Sequence, residues 1–312
     1  MTVTSRTLRL GTRRSALAMA QAGRVADALR NDGHDVSLVE VVTEGDRSSA
    51  ALTQLGGTGV FVTELRRQLA DGAIDVAVHS LKDLPTAPAD GLVVAAVPSR
   101  EDPRDALVSR DRMSLNQLPE GTTVGTGSPR RAAQLRALGL GLEVVPIRGN
   151  VDTRLRKVAD GELDAVVVAA AGLARLGRID EAAELLDPGQ LLPAPGQGAL
   201  AVECRADDES LVDVVRRSLD DASTRAAVTA ERALLAALEA GCTAPVGALA
   251  DVAVGDDGND EIYLRGAVTA VDGSRAVRLS ITGPVADSDR LGRQLAADLL
   301  DAGAAELIGE SS

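Results

Sequence analysis

An internal echo is the strongest constraint on how this chain can fold. Asp71-Gly72-Ala73-Ile74-Asp75-Val76-Ala77-Val78 matches Asp160-Gly161-Glu162-Leu163-Asp164-Ala165-Val166-Val167 position by position. In each copy a helical stretch stops at Asp-Gly and an apolar strand follows, the order of a βα unit feeding a mostly parallel sheet. Leu10-Gly11-Thr12 ahead of one helix likewise echoes Val124-Gly125-Thr126 ahead of another. Two related α/β lobes are expected, and a cleft between two such lobes is the default place for a ligand.

The first two-thirds of the chain keeps this alternation. Strands are expected over 7–11, 36–42, 74–78, 122–125, 142–147 and 163–169, and helices over 15–30, 60–70, 128–138 and 151–159. The turn-rich segments Pro98-Ser99-Arg100-Glu101-Asp102-Pro103 and Pro193-Ala194-Pro195-Gly196-Gln197-Gly198 read as crossings between domains. Beyond them come a strand over 199–204 and helices over 209–219 and 223–240. Three β-like runs over 246–254, 261–271 and 275–281, separated by Gly/Asp turns, and a helix over 288–302 close the chain. That order predicts an antiparallel sheet backed by helices. The expected architecture is α/β, with domain 1 over 1–98 and 199–217, domain 2 over 103–193, and an α+β domain 3 over 220–312.

Composition removes several classes of function. The chain carries 33 basic and 46 acidic residues, a net charge of −13, which repels nucleic acid and anionic lipid. Its two aromatic residues, Phe61 and Tyr263, provide no base-stacking platform. No apolar run approaches the ~18 residues of a membrane span, and no signal-peptide core opens the chain. Two cysteines, Cys204 and Cys242, argue for a reducing, cytoplasmic setting rather than a disulfide scaffold. With only His34 and His79, there is no material for a Cys/His metal cluster or a Ser-His-Asp arrangement.

The positive charge is unevenly placed. The basic residues are 31 arginines and two lysines, Lys82 and Lys157. In so arginine-rich a chain, a retained lysine marks either a site suited to a compact three-donor ammonium or chance survival on a solvated face. Arg13 and Arg14 follow the first expected strand. In Gly125-Thr126-Gly127-Ser128-Pro129-Arg130-Arg131, Ser128 suits an N-cap and Pro129 the first helical position. Free N–H groups, the positive helix end and two guanidiniums would then converge, which makes an anion site. Arg148 to Lys157 repeats the arrangement at the next junction, and Arg175 and Arg178 follow the strand after that. Each pair alone fits a solvated helix start. Clusters at three equivalent junctions, where strand carboxyl ends face the ligand crevice, argue for a ligand bearing several carboxylates or phosphates. The lack of a Walker-type loop speaks against nucleoside triphosphates.

His79-Ser80-Leu81-Lys82-Asp83-Leu84-Pro85 also follows a buried strand. Lys82-Asp83 fits a surface turn or a catalytic acid/base, and the echo carries Ala171-Gly172 there, so charge was placed in one lobe only. Cys204 reads as a small apolar strand residue. Cys242, between Gly241 and Thr243 just past a long helix, is either buried filler or a nucleophile or attachment point.

Six segments, in order, resemble the porphobilinogen deaminase (hydroxymethylbilane synthase) family. They are Arg9-Leu10-Gly11-Thr12-Arg13-Arg14-Ser15, Val78 to Pro85, Val124 to Arg131, Ile147 to Leu155, Pro195-Gly196-Gln197-Gly198-Ala199-Leu200 and Gly241-Cys242. The resemblance runs from about Leu8 to Gly247; beyond it only the general pattern matches. It implies two lobes like those of periplasmic binding proteins flanking a cleft, plus a C-terminal α+β domain bearing the cysteine. It further implies that Cys242 holds a dipyrromethane cofactor through a thioether. A transferase of tetrapyrrole biosynthesis would add four porphobilinogen molecules to that cofactor one at a time, each losing ammonia. Hydrolysis would then release hydroxymethylbilane. By position, Asp83 is the catalytic residue, near the pyrrole N–H groups. Lys82, Thr126, Ser128, Arg130 and Arg131 join Cys242 in holding the cofactor, while Arg13, Ser15, Arg148, Arg154, Arg175, Gln197 and Phe61 meet porphobilinogen and the growing polypyrrole. Each pyrrole ring brings an acetate and a propionate, which matches the arginine clusters. The chain departs from the pattern at Gly127 and Pro129, where family members often carry Ser and Leu. A monomer with no nucleic-acid, membrane or metal partner is expected. The rival reading, a two-lobed binding protein for a polycarboxylate, needs the same arginines but has no use for Asp83 or Cys242.

Overall fold

A computed structural model describes residues 7–42, 59–239, 244–255 and 258–309. The chain divides into two compact units, 1–100 with 199–225, and 101–198 with 226–312.

The first unit is built on a five-stranded sheet. Leu8–Arg13 (β1) lies between Val36–Val41 (β2) and Val76–Ser80 (β3), all parallel; Leu200–Arg205 (β10) is antiparallel to β3 on one side and to Leu92–Ala96 (β4) on the other. The Val/Ala/Leu runs suit a sheet covered on both faces. On one face, Ala22, Val25 and Leu29 of Ala16–Asn31 (α1) and Leu211, Val212 and Val215 of Glu209–Leu219 (α6) pack on Leu10, Val78, Val202 and Cys204. On the other, Leu65 and Leu69 of Gly59–Ala70 (α2) pack on Val41, Ile74 and Ala77.

Residues 101–198 repeat that sheet. Glu143–Pro146 (β7), Thr123–Thr126 (β6) and Ala165–Ala169 (β8) run parallel, and Asp105–Ser109 (β5) lies antiparallel between β8 and Glu184–Leu185 (β9). The likeness extends to the register. Leu10 and Gly11 pair with Val76 and Ala77, as Val124 and Gly125 pair with Ala165 and Val166, the offset of the sequence echo. Asp75 accepts from the Arg9 N–H at 3.0 Å and Asp164 from the Thr123 N–H at 3.0 Å. Arg205 and Arg110, at matching places on the antiparallel strands, reach those carboxylates at 3.5 and 3.3 Å. Even the glycines correspond: a Cβ at Gly11 would stand 2.3 Å from Ile74 Cδ1, and one at Gly125 2.7 Å from Leu163 Cδ1. Both strands need a hydrogen where the apolar residue of the turn from helix into the neighbouring strand presses in.

The third sheet is the antiparallel meander Val246–Val254 (β11), Asp260–Thr269 (β12) and Ala276–Pro284 (β13). Leu234 of Ala222–Ala237 (α7) and Leu295 and Leu299 of Ser288–Asp301 (α8) bury Leu264 against it. Each of the three sheets has its own helices, and the third sheet falls in the same compact unit as the second. Bonds such as Ala248 N–H to Pro193 O (2.9 Å) and Arg136 Nη1 to Val271 O (2.8 Å) tie the third sheet to the second within one unit. Strands β4, β5 and β9 lie outside the expected set. Among the described residues no helix is long and apolar enough to cross a membrane.

Candidate functional site

In the second unit, the carboxyl end of β6 leads into Pro129–Ala137 (α3). Thr126 Oγ1 accepts from the Ser128 N–H at 3.2 Å, and Ser128 caps the helix by accepting from the Arg131 N–H at 3.4 Å, with Pro129 at the first position. The first turn holds no acidic residue. Two arginines at the positive end of a helix work against its dipole, and burying them adds a desolvation cost. Arg130 and Arg131 are nevertheless 3% and 5% exposed.

Asp105, wholly buried at the head of β5, makes this possible. It takes Arg130 Nη2 at 2.8 Å and Arg131 Nε and Nη2 at 2.9 and 2.7 Å. Gln197 Nε2 donates to the same carboxylate at 2.7 Å and to Pro103 O at 2.8 Å. Burial alone would raise the Asp105 carboxyl; Arg130 and Arg131 hold it far below the usual range instead. Arg130 also bonds Leu192 O and Arg131 bonds Val167 O, yet Arg130 Nε is buried with no hydrogen-bond partner.

Arg154, on Val151–Ala159 (α4), adds a third guanidinium. It donates to Gly149 O at 2.8 Å, and among the described residues no carboxylate pairs with it. Burial, with Arg131 beside it, pushes its pKa down to about 10. Among the described residues, one carboxylate thus serves Arg130 and Arg131 while Arg154 beside Arg131 has none, a cluster short of anions. Gly127 gives Arg154 its room: a Cβ there would lie 2.7 Å from Ile147 O and 3.3 Å from Arg154 Nη2. Arg148 is exposed after β7, and Arg175, at the end of Ala170–Arg175 (α5), donates to Gly198 O. Gln197, expected at the ligand, is 0% exposed, with its amide spent on Asp105, Pro103 O and Arg131. It braces the cluster from inside.

In the first unit, β3 ends in a single 3₁₀ turn, Leu81–Asp83. Leu81 and Leu84, each 2% exposed, pin the turn, and Leu81 N–H bonds Ala199 O at 3.0 Å. Lys82 and Asp83 between them are half-buried, and among the described residues no hydrogen bond or ion pair engages the Asp83 carboxylate. The turn rests on an ionic cluster that sequence reasoning missed. Glu203 of β10 accepts from Arg66 at 3.0 and 2.7 Å and meets His79 Nε2 at 3.1 Å. Burial would raise the Glu203 carboxyl, but His79 and Arg66 bring it down to about 2. At the neighbouring carboxyl end of β1, Arg13 is half-buried and Ser15 caps α1 by accepting from the Ala18 N–H at 3.3 Å. Among the described residues, neither capping serine donates its hydroxyl proton. Cys242 lies outside the described residues, as does the side chain of Phe61. Among the described residues no group of metal-ligating side chains occurs.

Comparison with known proteins draws these observations together. Residues 8–213 match the porphobilinogen deaminase dipyrromethane cofactor binding domain, and residues 225–301 match the porphobilinogen deaminase C-terminal domain. The chain is similar to porphobilinogen deaminase 1 of Streptomyces coelicolor, 60% identical over 317 residues and 99% of each chain. It is also similar to the porphobilinogen deaminases of Nocardia farcinica (60% identity; 97% of this chain, 88% of that one) and Mycobacterium tuberculosis (59%; 96% and 98%). Solved structures that resemble it include a putative methionine-binding lipoprotein of Bacillus subtilis, with 14% identity, 69% and 90% coverage and a TM-score of 0.43. A periplasmic substrate-binding protein of Coxiella burnetii gives 16% identity, 68% and 91% coverage and a TM-score of 0.43. Identity of 60% sustained along nearly the whole length, with both domains of one family matched in order, means that the chain belongs to the porphobilinogen deaminase family.

Proposed function

We propose that the chain is a porphobilinogen deaminase, a monomeric cytoplasmic transferase. It condenses four porphobilinogen molecules stepwise, loses an ammonia with each, and releases hydroxymethylbilane by hydrolysis. The observation that carries this reading is the surplus of guanidinium over carboxylate at the N-terminus of α3, with a buried Arg130 Nε still to be satisfied. A polycarboxylate supplies what that donor set lacks. The residues therefore fit a dipyrromethane, which when bound provides the pyrrole end to which the first ring is joined. Cys242 would hold it through a thioether, with Thr126, Ser128, Arg130, Arg131 and Lys82 around its carboxylates. Arg13, Ser15, Arg148, Arg154 and Arg175 would take the acetate and propionate groups of incoming rings, and Phe61 would stack on them.

Asp83 is the proposed catalytic residue. Its carboxylate sits in a turn pinned by two buried leucines and, among the described residues, is spent on no structural partner, so it is available to positive charge. Held near pyrrole nitrogen, it would stabilise the cation left when ammonia departs and take up the proton released on ring joining. The division into domains 1–98 with 199–217, 103–193 and 220–312 belongs to the same proposal, supported by one sheet in each. Intact mass and ammonia release test the reading together. The expected outcome is a chain heavier than its sequence by one dipyrrole, no added mass in Cys242→Ser, and one ammonia per porphobilinogen consumed. An unmodified chain that is fully active refutes it, and binding of porphobilinogen without ammonia favours the binding-protein reading.

A further inference from the structure

The two equivalent sheets provide an internal control on the ionic cluster. Asp105 of β5 pairs with Ala169 at the end of β8, and Leu200 of β10 pairs with Ser80 at the end of β3, so Leu200 holds the place of Asp105 in the first unit. Counting from the capping serines, Leu17 and Ala18 of α1 hold the places of Arg130 and Arg131 of α3. The same sheet, with the same strand order, thus forms around apolar residues at all three positions. Buried ion clusters are commonly replaceable by apolar side chains without loss of stability, so the fold alone does not call for this one.

What the carboxylate provides is orientation. Its two oxygens take three guanidinium N–H groups from successive residues of one helix, and Gln197, itself anchored to Pro103 O, fixes the carboxylate. It neutralises one of the two arginines, enough for both to stay buried and aligned, while leaving positive charge for an anion. We infer that Asp105 is a positioning residue for cofactor capture: it presets Arg130 and Arg131, and loading of the dipyrromethane depends on it although it is itself fully buried. Gln197 serves the same function one bond further out. This inference rests on the function proposed above.

The test is cofactor loading, read by intact mass on full-length wild type, Asp105→Asn, Gln197→Met and Asp75→Asn, with the melting temperature of each. Asp75 is the matched control. It is an equally buried carboxylate paired with arginines, Arg9 and Arg205, but belongs to the other unit and bonds neither Arg130 nor Arg131. Wild type and Asp75→Asn are expected to carry the added mass in nearly every folded chain. Asp105→Asn is expected to lose loading by about tenfold, since the charge that aligns three guanidinium N–H groups of two arginines goes with one partner. Gln197→Met keeps every charge but loses the brace, and is expected to fall by about twofold or more. Asp105→Asn loaded as fully as Asp75→Asn overturns the inference, as does equal loss in both. Should Asp105→Asn fail to fold, full loading of Gln197→Met overturns it. Absence of added mass in wild type overturns the proposed function itself, and is told apart by that control.

Discussion

Acid is expected to weaken the first unit through one side chain, Glu203. The residue is 2% exposed, hydrogen-bonded to Arg66 and 3.1 Å from His79 Nε2, and its carboxyl is held at about 2 in the folded chain against an ordinary 4.5. Folding therefore favours the ionised form. The contribution is present in full above pH 4.5 and is lost as the pH falls towards 2. A depression of that size corresponds to stability on the order of 3 kcal/mol. Glu203→Gln keeps the shape and removes the charge, so at neutral pH it leaves Arg66 and His79 without their partner, at a cost of about 3–5 kcal/mol. Below pH 4.5 wild type loses the same contribution, and the gap between the two proteins narrows. Urea unfolding followed by far-ultraviolet circular dichroism from pH 6 to pH 3 reads that gap, and carboxylates common to both proteins cancel in the difference. A gap that stays constant across this range would show that the His79–Glu203–Arg66 cluster does not carry the acid sensitivity assigned to it.

Two further outcomes bear on the site. Asp83→Asn is expected to fold, to keep the mass of the cofactor, and to turn over porphobilinogen about 10²-fold or more slowly, the scale of losing a preorganised charge. Turnover within a few-fold of wild type would make Asp83 a turn residue. Thiol titration checks the attachment separately. Cys204 is fully buried and its thiol is pushed up to about 12, chiefly by burial, so it is unreactive in the native chain. The loaded protein is expected to show no reactive thiol when native and one in urea; two in urea would refute a thioether at Cys242.

The repeat was legible in the sequence because it is local. Asp-Gly stops, apolar runs and the capping residues Ser128, Asn150 and Asp208 all act within a few positions, and they set α3, α4 and α6 as expected. The ionic clusters were not legible, because their partners are distant in the chain. Asp105 meets Arg130 across 25 positions, and Glu203 meets Arg66 across 137. Each acid looks like a flaw in an apolar strand until the sheet brings its arginine alongside. Asp105, directly after Arg104, also disguised the start of β5, and β9 is only two residues long. The arginines of α3 were correctly placed at a helix start. What the sequence could not reveal is that both turn inward onto a carboxylate, because burial of a charged pair has no periodic signature.

The antiparallel strand enters the two sheets at opposite times in the life of the chain. In the second sheet β5 comes first, and all five strands lie between Asp105 and Leu185. In the first sheet β10 begins only at Leu200, long after β4 ends at Ala96, and β4 has no other neighbour in the sheet. A ribosome adding about 5–20 residues per second needs roughly 5–20 s to cover that distance. Through that interval β3 lacks a neighbour on one side and β4 lacks any, and before it ends the later sheet has received all five of its strands. Order of birth and order of completion are reversed, and a chain that ends between Leu185 and Leu200 carries every strand of the second sheet but lacks one of the first.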